Sequence, residues 1–496
     1  MTAITARHDI SGERFADVHV AVMDFAALGA QSYYLKLDNY QRPYVWSRQK
    51  VEQLLDDLSA FSAQDQMQEY YLGTLLLHRD DRQEARFVID GQQRLSSLAV
   101  LFHYLQGALP PGFDFRYRSP VSADNLLRAK EAVKAFAPGF DVSIFSRLHF
   151  TVITVTREDL AFTFFDTQNS RGVPLAATDL LKAYHLRAIA GEEEQVGQMQ
   201  QSCARWWEAV QMAGPRDDEK RRDFAPSLFG QYLWRARDWR GQRRFGREDH
   251  DSILTMFQER SVGAEAVDSV PLYPGHANQS AVRLRLDRGE GYHLEPGASG
   301  VAASPADLPF SLRQPIHKGA GFFLYAQKYA ALLDELLYRP APNHEIALVR
   351  TLYSSVVAYN SPYLRELFKL ALLGYADRFG PRRLLEFAQR TELVLGGLRF
   401  EKQSIYKEAP LKFLRDAGHN LLDVIPMAYR PDEVMEFLQA ELAGSPGYGD
   451  EYLGRVVAGK GVQGRYLSAA RAYFGALATL PSGVAPWLQR LAANDK

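Results

Sequence analysis

A chain of 496 residues is too long for a single hydrophobic core, so two or three domains are expected. Its 58 basic and 59 acidic residues nearly cancel, which excludes a global positive field; any contact with nucleic acid must come from a local patch. The single cysteine, Cys203, excludes an intrachain disulfide framework and a Cys-rich zinc site. The N-terminus lacks an apolar core of signal-peptide length, and no run approaches the roughly 18 apolar residues of a membrane span, so a cytoplasmic protein is expected.

Residues 1–160 read as mixed α/β. "YYLKL" (33–37) predicts a short strand. "SRQKVEQLLDDLSAF" predicts a helix capped by Ser47, with Val51, Leu54, Leu55 and Leu58 at helical spacing. "YYLGTLLLH" (70–78) and "ARFVID" (85–90) predict strands joined by the charged turn "RDDRQE". "LSSLAVLFHYLQ" predicts a helix with Leu95, Leu98, Phe102 and Leu105 on one face, and "LHFTVITV" (148–155) another strand.

From about residue 157 the pattern turns helical. "REDLAFTFFDTQNS" and "AATDLLKAYHLRAIA" flank the break "RGVPL". Further helices are expected near 194–212, 221–238, 318–338, 343–359, 363–378 and 381–396. Residues 262–308, rich in Gly, Ala, Ser and Pro, predict a long loop or small insertion, and the last hundred residues predict short helices. The expected organisation is an α+β chain: a mixed α/β domain over 1–160, a helical extension over 161–330, and a helical C-terminal domain over 331–496. Within the last, Arg365, Lys369, Arg378, Arg382 and Arg383 predict a local basic surface, either plainly solvated or meeting a partner or phosphate.

The stretch "VIDGQQRLSSL" (88–98) is unusual, because a buried strand turns into a helix through Asp, two Gln and Arg. The first N–H groups of a helix point outward unpaired, and with the helix dipole they favour an anion. Gly91 permits φ > 0 or close approach. Arg94 can hold phosphate oxygens in a fork, Gln92 and Gln93 can bond a ligand without adding charge, and Asp90 can hold a metal, orient Arg94 or cap the helix. On these five residues alone a plain Asp-Gly turn with a salt-bridged arginine explains the stretch equally well.

Two further stretches add weight to a ligand site. "NYQRPYVW" (39–46) sets Tyr40, Tyr44 and Trp46 around Gln41 and Arg42; the aromatics can stack on bases or plug the core. "FFDTQNSRGVPLAATDLLKAY" (164–184) places Asn169 and Arg171 in a polar break, with Thr178, Asp179 and Lys182 at the next helix; a capped helix corner is the alternative.

The segments "YQRPYVW", "YYLGTLLL", "FVIDGQQRLSSL", "FDTQNSRGVPLAATDLLKAY" and "LRQPIHKGAGFFLYAQKY" (312–329) together resemble the GmrS-type domain of the GmrSD family of type IV restriction systems, within the ParB/sulfiredoxin-like superfamily. The resemblance implies an NTP-binding and NTP-hydrolysing module that senses modified DNA or regulates a nuclease, with Mg²⁺ accompanying the nucleoside triphosphate. It implies catalytic roles for Asp90, Gln93 and Arg94. It implies nucleotide binding by Tyr40, Gln41, Arg42, Gly91, Gln92, Asn169 and Arg171.

Fused members of that family carry a C-terminal HNH nuclease, which needs a His base and metal ligands from His, Asp or Asn. After residue 330 the sequence offers only His344 and His419, without such a constellation, and Asp249-His250 lacks a second histidine. The expectation is therefore a sensor or regulatory NTPase subunit of an anti-phage restriction system, acting on DNA with a separate nuclease chain. A stand-alone nuclease using the Asp-Gly-Gln-Gln-Arg corner, and a non-enzymatic nucleotide-switched DNA-binding or scaffold protein, are the alternatives.

Overall fold

A computed structural model of the protein describes residues 17–37, 41–63, 68–117, 119–157, 160, 176–189, 193–215, 223–263, 270–273, 282–287, 291–296 and 304–476. The chain divides into two compact units, Met1–Ala183 and Tyr184–Lys496. The architecture is α+β, with a mixed sheet in the first unit and mainly helix in the second.

The first unit contains β1 (Val18–Asp24), α1 (Phe25–Gly29), β2 (Tyr34–Leu37), α2 (Arg48–Ser62), β3 (Tyr70–Asp80), β4 (Ala85–Asp90), α3 (Gln92–Gln106), β5 (Phe113–Asp114), α4 (Pro120–Phe136), β6 (Leu148–Val155) and the start of α5 (Ala177–Arg187). Among the described residues, six strands form one sheet in the order β1-β6-β3-β4-β2-β5. β4 lies inside it, antiparallel to β3 and parallel to β2. Both faces of β4 are covered: "ARFVI" is buried throughout, with the Arg86 guanidinium held by the carbonyls of Tyr33 and Leu28.

Ser47 caps α2 by accepting from Lys50 N–H, as its sequence predicts. Leu95, Leu98 and Leu101 of α3 pack into the same core as Val88 of β4 and Val51, Leu55 and Leu58 of α2. Four elements of this unit, β1, α1, β5 and α4, carry no clear sequence pattern. β1 sits at the sheet edge with Val20 and Val22 exposed, so its run carries no buried alternation. α4 buries a stripe of small residues, Ala129, Ala132 and Val133, too weak to stand out as an apolar face.

The second unit continues with α6 (Glu193–Gln211), α7 (225–238) and α8 (250–259), the last two each containing a π-helical stretch. The hairpin β7 (Val282–Asp287) and β8 (Gly291–Pro296) follows. That hairpin lies within residues 262–308, where the sequence predicts a long loop or a small insertion. Then come α9 (320–338), α10 (His344–Ser355), α11 (Pro362–Phe379), α12 (Leu384–Glu401), α13 (Glu408–Asp416), α14 (Leu421–Met427), α15 (Pro431–Gly444) and α16 (Gly461–Gly475). No helix among the described residues is long and apolar enough to cross a membrane.

Of the basic residues expected on α11 and its C-terminal turn, Arg382 and Arg383 are exposed and Arg365, Lys369 and Arg378 half-buried. Arg378 donates to the Ala428 carbonyl at 3.0 Å, Arg382 to Phe379 at 3.2 Å, and Arg383 bridges Glu386 and Asp432. Lys369 lies over the Tyr232 ring, and burial pulls its ammonium below the ordinary value.

Glu392 is fully buried in α12. Asn360 donates to its Oε1 at 3.2 Å, while Oε2 has no hydrogen-bond partner among the described residues. Burial pushes its carboxyl from 4.5 to about 8. The folded state thus binds a proton between these values that the unfolded state releases, so stability is full below 4.5 and falls as pH rises toward 8. Each pH unit in that window costs up to about 1 kcal/mol. Glu392→Gln, which keeps the shape and removes the titration, is expected to flatten this fall; urea unfolding at pH 5 and pH 8 checks it.

Candidate functional site

The strand-to-helix corner is built by one glycine and several buried amides. Gly91 caps α3 with φ 96, a left-handed conformation, and a Cβ there would lie 2.2 Å from Leu75 Cδ2. No side chain caps α3 and its first turn holds no acid, so its leading N–H groups face outward with the positive end of the dipole.

Segment 41–46 crosses this corner without belonging to a strand or helix, and side chains supply the hydrogen bonds its backbone needs. Gln93 Oε1 accepts from Val45 N–H at 2.9 Å and from Trp46 N–H at 3.2 Å, and its Nε2 donates to the Pro43 carbonyl at 3.1 Å. Gln92 Nε2 donates to the Arg42 carbonyl at 2.9 Å and to Tyr117 Oη at 3.1 Å. Gln41 Nε2 reaches back to the carbonyls of Val88 and Ile89 at 2.7 and 3.1 Å, and its own carbonyl accepts from Lys182 Nζ at 2.9 Å. Gln41, Gln92, Gln93 and Lys182 are all buried. Gln92 Oε1 is a buried acceptor without a partner among the described residues.

Arg94 turns toward β3. Its Nη1 donates to the Leu72 carbonyl and its Nη2 to Thr74 at 2.8 Å. There the pairing of β3 with β6 shifts register between Tyr71 and Thr74, so the guanidinium fills a break in the ladder. Gly73, at φ 95, makes the room: a Cβ there would lie 2.4 Å from Arg94 Nη1. The fork that the sequence suggests for phosphate is committed to backbone. The Asp90 carboxylate lies 4.0 Å from Arg94 Nη2, is 44 % exposed, and accepts no hydrogen bond from a described residue.

Arg42 is half-buried, and its guanidinium makes no hydrogen bond to any described residue. Its charge acts on Asp179, in the first turn of α5. Burial raises the Asp179 carboxyl above its ordinary value, while Arg42 and Lys182 pull the other way.

The expected residues therefore fall into groups. Gln41, Gln92, Gln93 and the backbone of Arg42 come together at the corner. Asp90 and Arg94 adjoin on the β3 side. Tyr44 is wholly buried, its hydroxyl paired with Ser97 at 2.8 Å, so it belongs to the core; Trp46 is half-buried. Tyr40, Asn169 and Arg171 lie outside the described residues. Asp179 and Lys182 read equally well as helix-corner residues in the sequence, and the structure brings them to Arg42 and Gln41. Tyr117 and Ser96, whose hydroxyls pair with each other beside Gln92, belong to no sequence motif; two serines on the buried face of an apolar helix are the signal for Ser96. Among the described residues no group of three or more His, Cys, Asp or Glu is arranged to hold a metal ion.

Comparison with known families matches residues 25–186 to the N-terminal domain of the GmrSD restriction endonuclease. Residues 199–448, half of the chain, match a family of unknown function, DUF7834. No curated protein matches the chain.

Removing the Gln93 amide leaves three backbone groups of segment 43–46 unpaired, at a cost of about 1–3 kcal/mol for each that stays buried. Gln93→Ala is expected to lower stability by roughly 2–4 kcal/mol, and Gly91→Ala by at least about 1 kcal/mol from backbone strain. Denaturant titration of both variants checks this; wild-type midpoints would show that the corner tolerates their loss.

Proposed function

The chain belongs to the DUF7834 family and carries a GmrSD-type N-terminal domain, and on that premise we propose that it is the NTP-binding and NTP-hydrolysing sensor or regulatory subunit of an anti-phage DNA restriction system, acting with a separate nuclease chain. The matched N-terminal domain supports the restriction role. The observation that carries the nucleotide reading is the division of labour at the corner. The amides of Gln41, Gln92 and Gln93 and the fork of Arg94 are committed to the protein's own backbone. The Arg42 guanidinium and the Asp90 carboxylate make no hydrogen bond to any described residue.

A half-buried guanidinium with no hydrogen bond to a described residue, tied through its own backbone to the first residue of a helix without a side-chain cap, suits a polyphosphate. In this reading Arg42 and the N–H groups leading α3 bind the phosphate oxygens. Asp179 and Lys182 orient the Arg42 segment. Gly91 lets the backbone approach, and Gln41, Gln92 and Gln93 hold the loop to its register. Arg94 positions Asp90 by fixing β3 beside it, and adds positive charge where negative charge grows on the transferred phosphoryl group. Tyr40, Asn169 and Arg171 complete the proposed nucleotide set.

Mg²⁺ fits this donor set in the manner usual for nucleotide sites, where phosphate oxygens and water supply most of the shell and the protein one or two carboxylates. Asp90 would be that carboxylate, and the ion would supply neutralisation of phosphate charge. DNA is the proposed polymer on which the system acts.

Phosphate release by the purified chain with each of the four NTPs and Mg²⁺ tests the reading. Arg42→Ala and Asp90→Asn are each expected to lower the rate about 10²–10³-fold with little change in unfolding midpoint. Wild-type rates in both variants would remove the corner from the chemistry.

A further inference from the structure

The helical unit holds a second arrangement of uncommitted cations, in the loop between α7 and α8. The stretch "RARDWRGQRRFGRED" (235–249) carries six arginines, in a chain whose charges otherwise nearly cancel. Arg235, Arg237 and Arg243 have structural duties. Arg235 bridges Glu248 and Glu366 at 2.7 and 2.6 Å, Arg237 donates to the carbonyls of Leu312 and Gln314, and Arg243 pairs with Asp238 at 3.0 Å. Arg240, Arg244 and Arg247 are exposed, and their side chains make no ion pair or hydrogen bond with any described residue.

The acids of the same stretch are already engaged. Glu248 is shared by Arg235 and Lys407, Asp238 holds Arg243 and Gly246 N–H, and Asp249 caps α8 by accepting from Ser252 N–H. Six arginines thus stand against three acids in this stretch, and Arg240, Arg244 and Arg247 are the ones without an acidic partner among the described residues. Arg240 and Arg237 also act on Arg313, whose pKa burial lowers first and their like charges lower further.

The loop is also fixed in place. Asp423 accepts from Gly241 N–H and from Arg313 Nη1, both at 2.5 Å. Asn420 donates to the carbonyls of Trp239 and Gly241 at 3.2 and 2.9 Å, and Gln242 donates to Ala417 at 2.7 Å. On the far side Asp238 grips Arg243 and Gly246, and Phe245 lies against Trp239 with ring centroids 6.1 Å apart. A loop pinned at both ends loses little further backbone entropy on binding.

We propose that loop 240–247, through Arg240, Arg244 and Arg247, is a binding site for the phosphodiester backbone of duplex DNA. Guanidinium groups match phosphate oxygens in geometry and charge, and a regularly charged polyanion uses several of them at once. The choice of DNA among polyanions rests on the proposed restriction role; the site itself rests on the loop.

The test uses the full chain and a short fluorescein-labelled duplex, with anisotropy followed across a salt series. Replacing all three arginines by alanine is expected to weaken binding about tenfold or more and to lower the slope of log affinity against log salt by roughly three, about one per arginine. The triple lysine variant is expected to keep the slope. Unchanged affinity and slope in the alanine variant overturn the proposal, as does a lysine variant that falls equally far, or a wild-type chain that binds no duplex. Phosphate release without DNA is measured on the same alanine variant and is expected at the wild-type rate. Failure of the loop is thereby separated from failure of the nucleotide reading, which Arg42→Ala and Asp90→Asn decide.

Discussion

The first unit depends on a single requirement: the backbone of segment 41–46 crosses a buried strand end and must find hydrogen-bond partners there. It has no ladder and no helix of its own. A buried amide or carbonyl left unpaired costs about 1–3 kcal/mol, a large fraction of a domain's net stability. The side chains of Gln92 and Gln93, with Ser122, Asn125 and Lys182, meet the requirement, and a primary amide suits it because it donates and accepts at once without bringing charge into the core. Gln93 takes both roles toward Pro43, Val45 and Trp46, and Gln41 and Gln92 lock the two sides of the corner to each other.

From that lock follows the selection of what stays reactive. Arginine in the first turn of a helix after a glycine looks like a phosphate fork in any sequence. Here β3 changes register, and Arg94 donates to the carbonyls of Leu72 and Thr74 at the break. With Arg94 committed, the arginine without a hydrogen bond to a described residue is Arg42, whose backbone Gln92 holds and whose charge acts on Asp179. Two glycines are needed for this exchange. Gly91 turns the chain through a left-handed conformation, and Gly73 vacates the space that the Arg94 guanidinium occupies.

The helical unit uses carboxylates where the first unit uses amides. Asp238 and Asp423 each hold an arginine with one oxygen and a loop N–H with the other, so charge pairing and backbone fixation come from the same group. An arginine-rich stretch sorted in this way is partly structural and partly exposed. On α11 and the turn after it the sorting goes further, and Arg378, Arg382 and Arg383 all end on local acceptors. Arginine count is thus a poor guide to a binding surface, and the pattern of paired acids a better one.

The sequence by itself determined the local elements and the location of the corner. Ser47 before an apolar-periodic run, the β-rich "ARFVI" ending in Asp-Gly, and the leucine stripe of α3 are short-range signals, and short-range sterics and periodicity govern them. The family resemblance is what pairs the Tyr-Gln-Arg and Asp-Gly-Gln-Gln-Arg segments in the sequence. What only the tertiary structure decided is the partner of each polar group. Gln93 as a backbone clamp, Arg94 on the β3 bulge, Tyr44 in the core, and Lys182 on the Gln41 carbonyl all depend on residues far apart in the chain. The same side chain serves a ligand or the fold according to which donor or acceptor lies within about 3 Å, and that distance is set by packing rather than by sequence spacing.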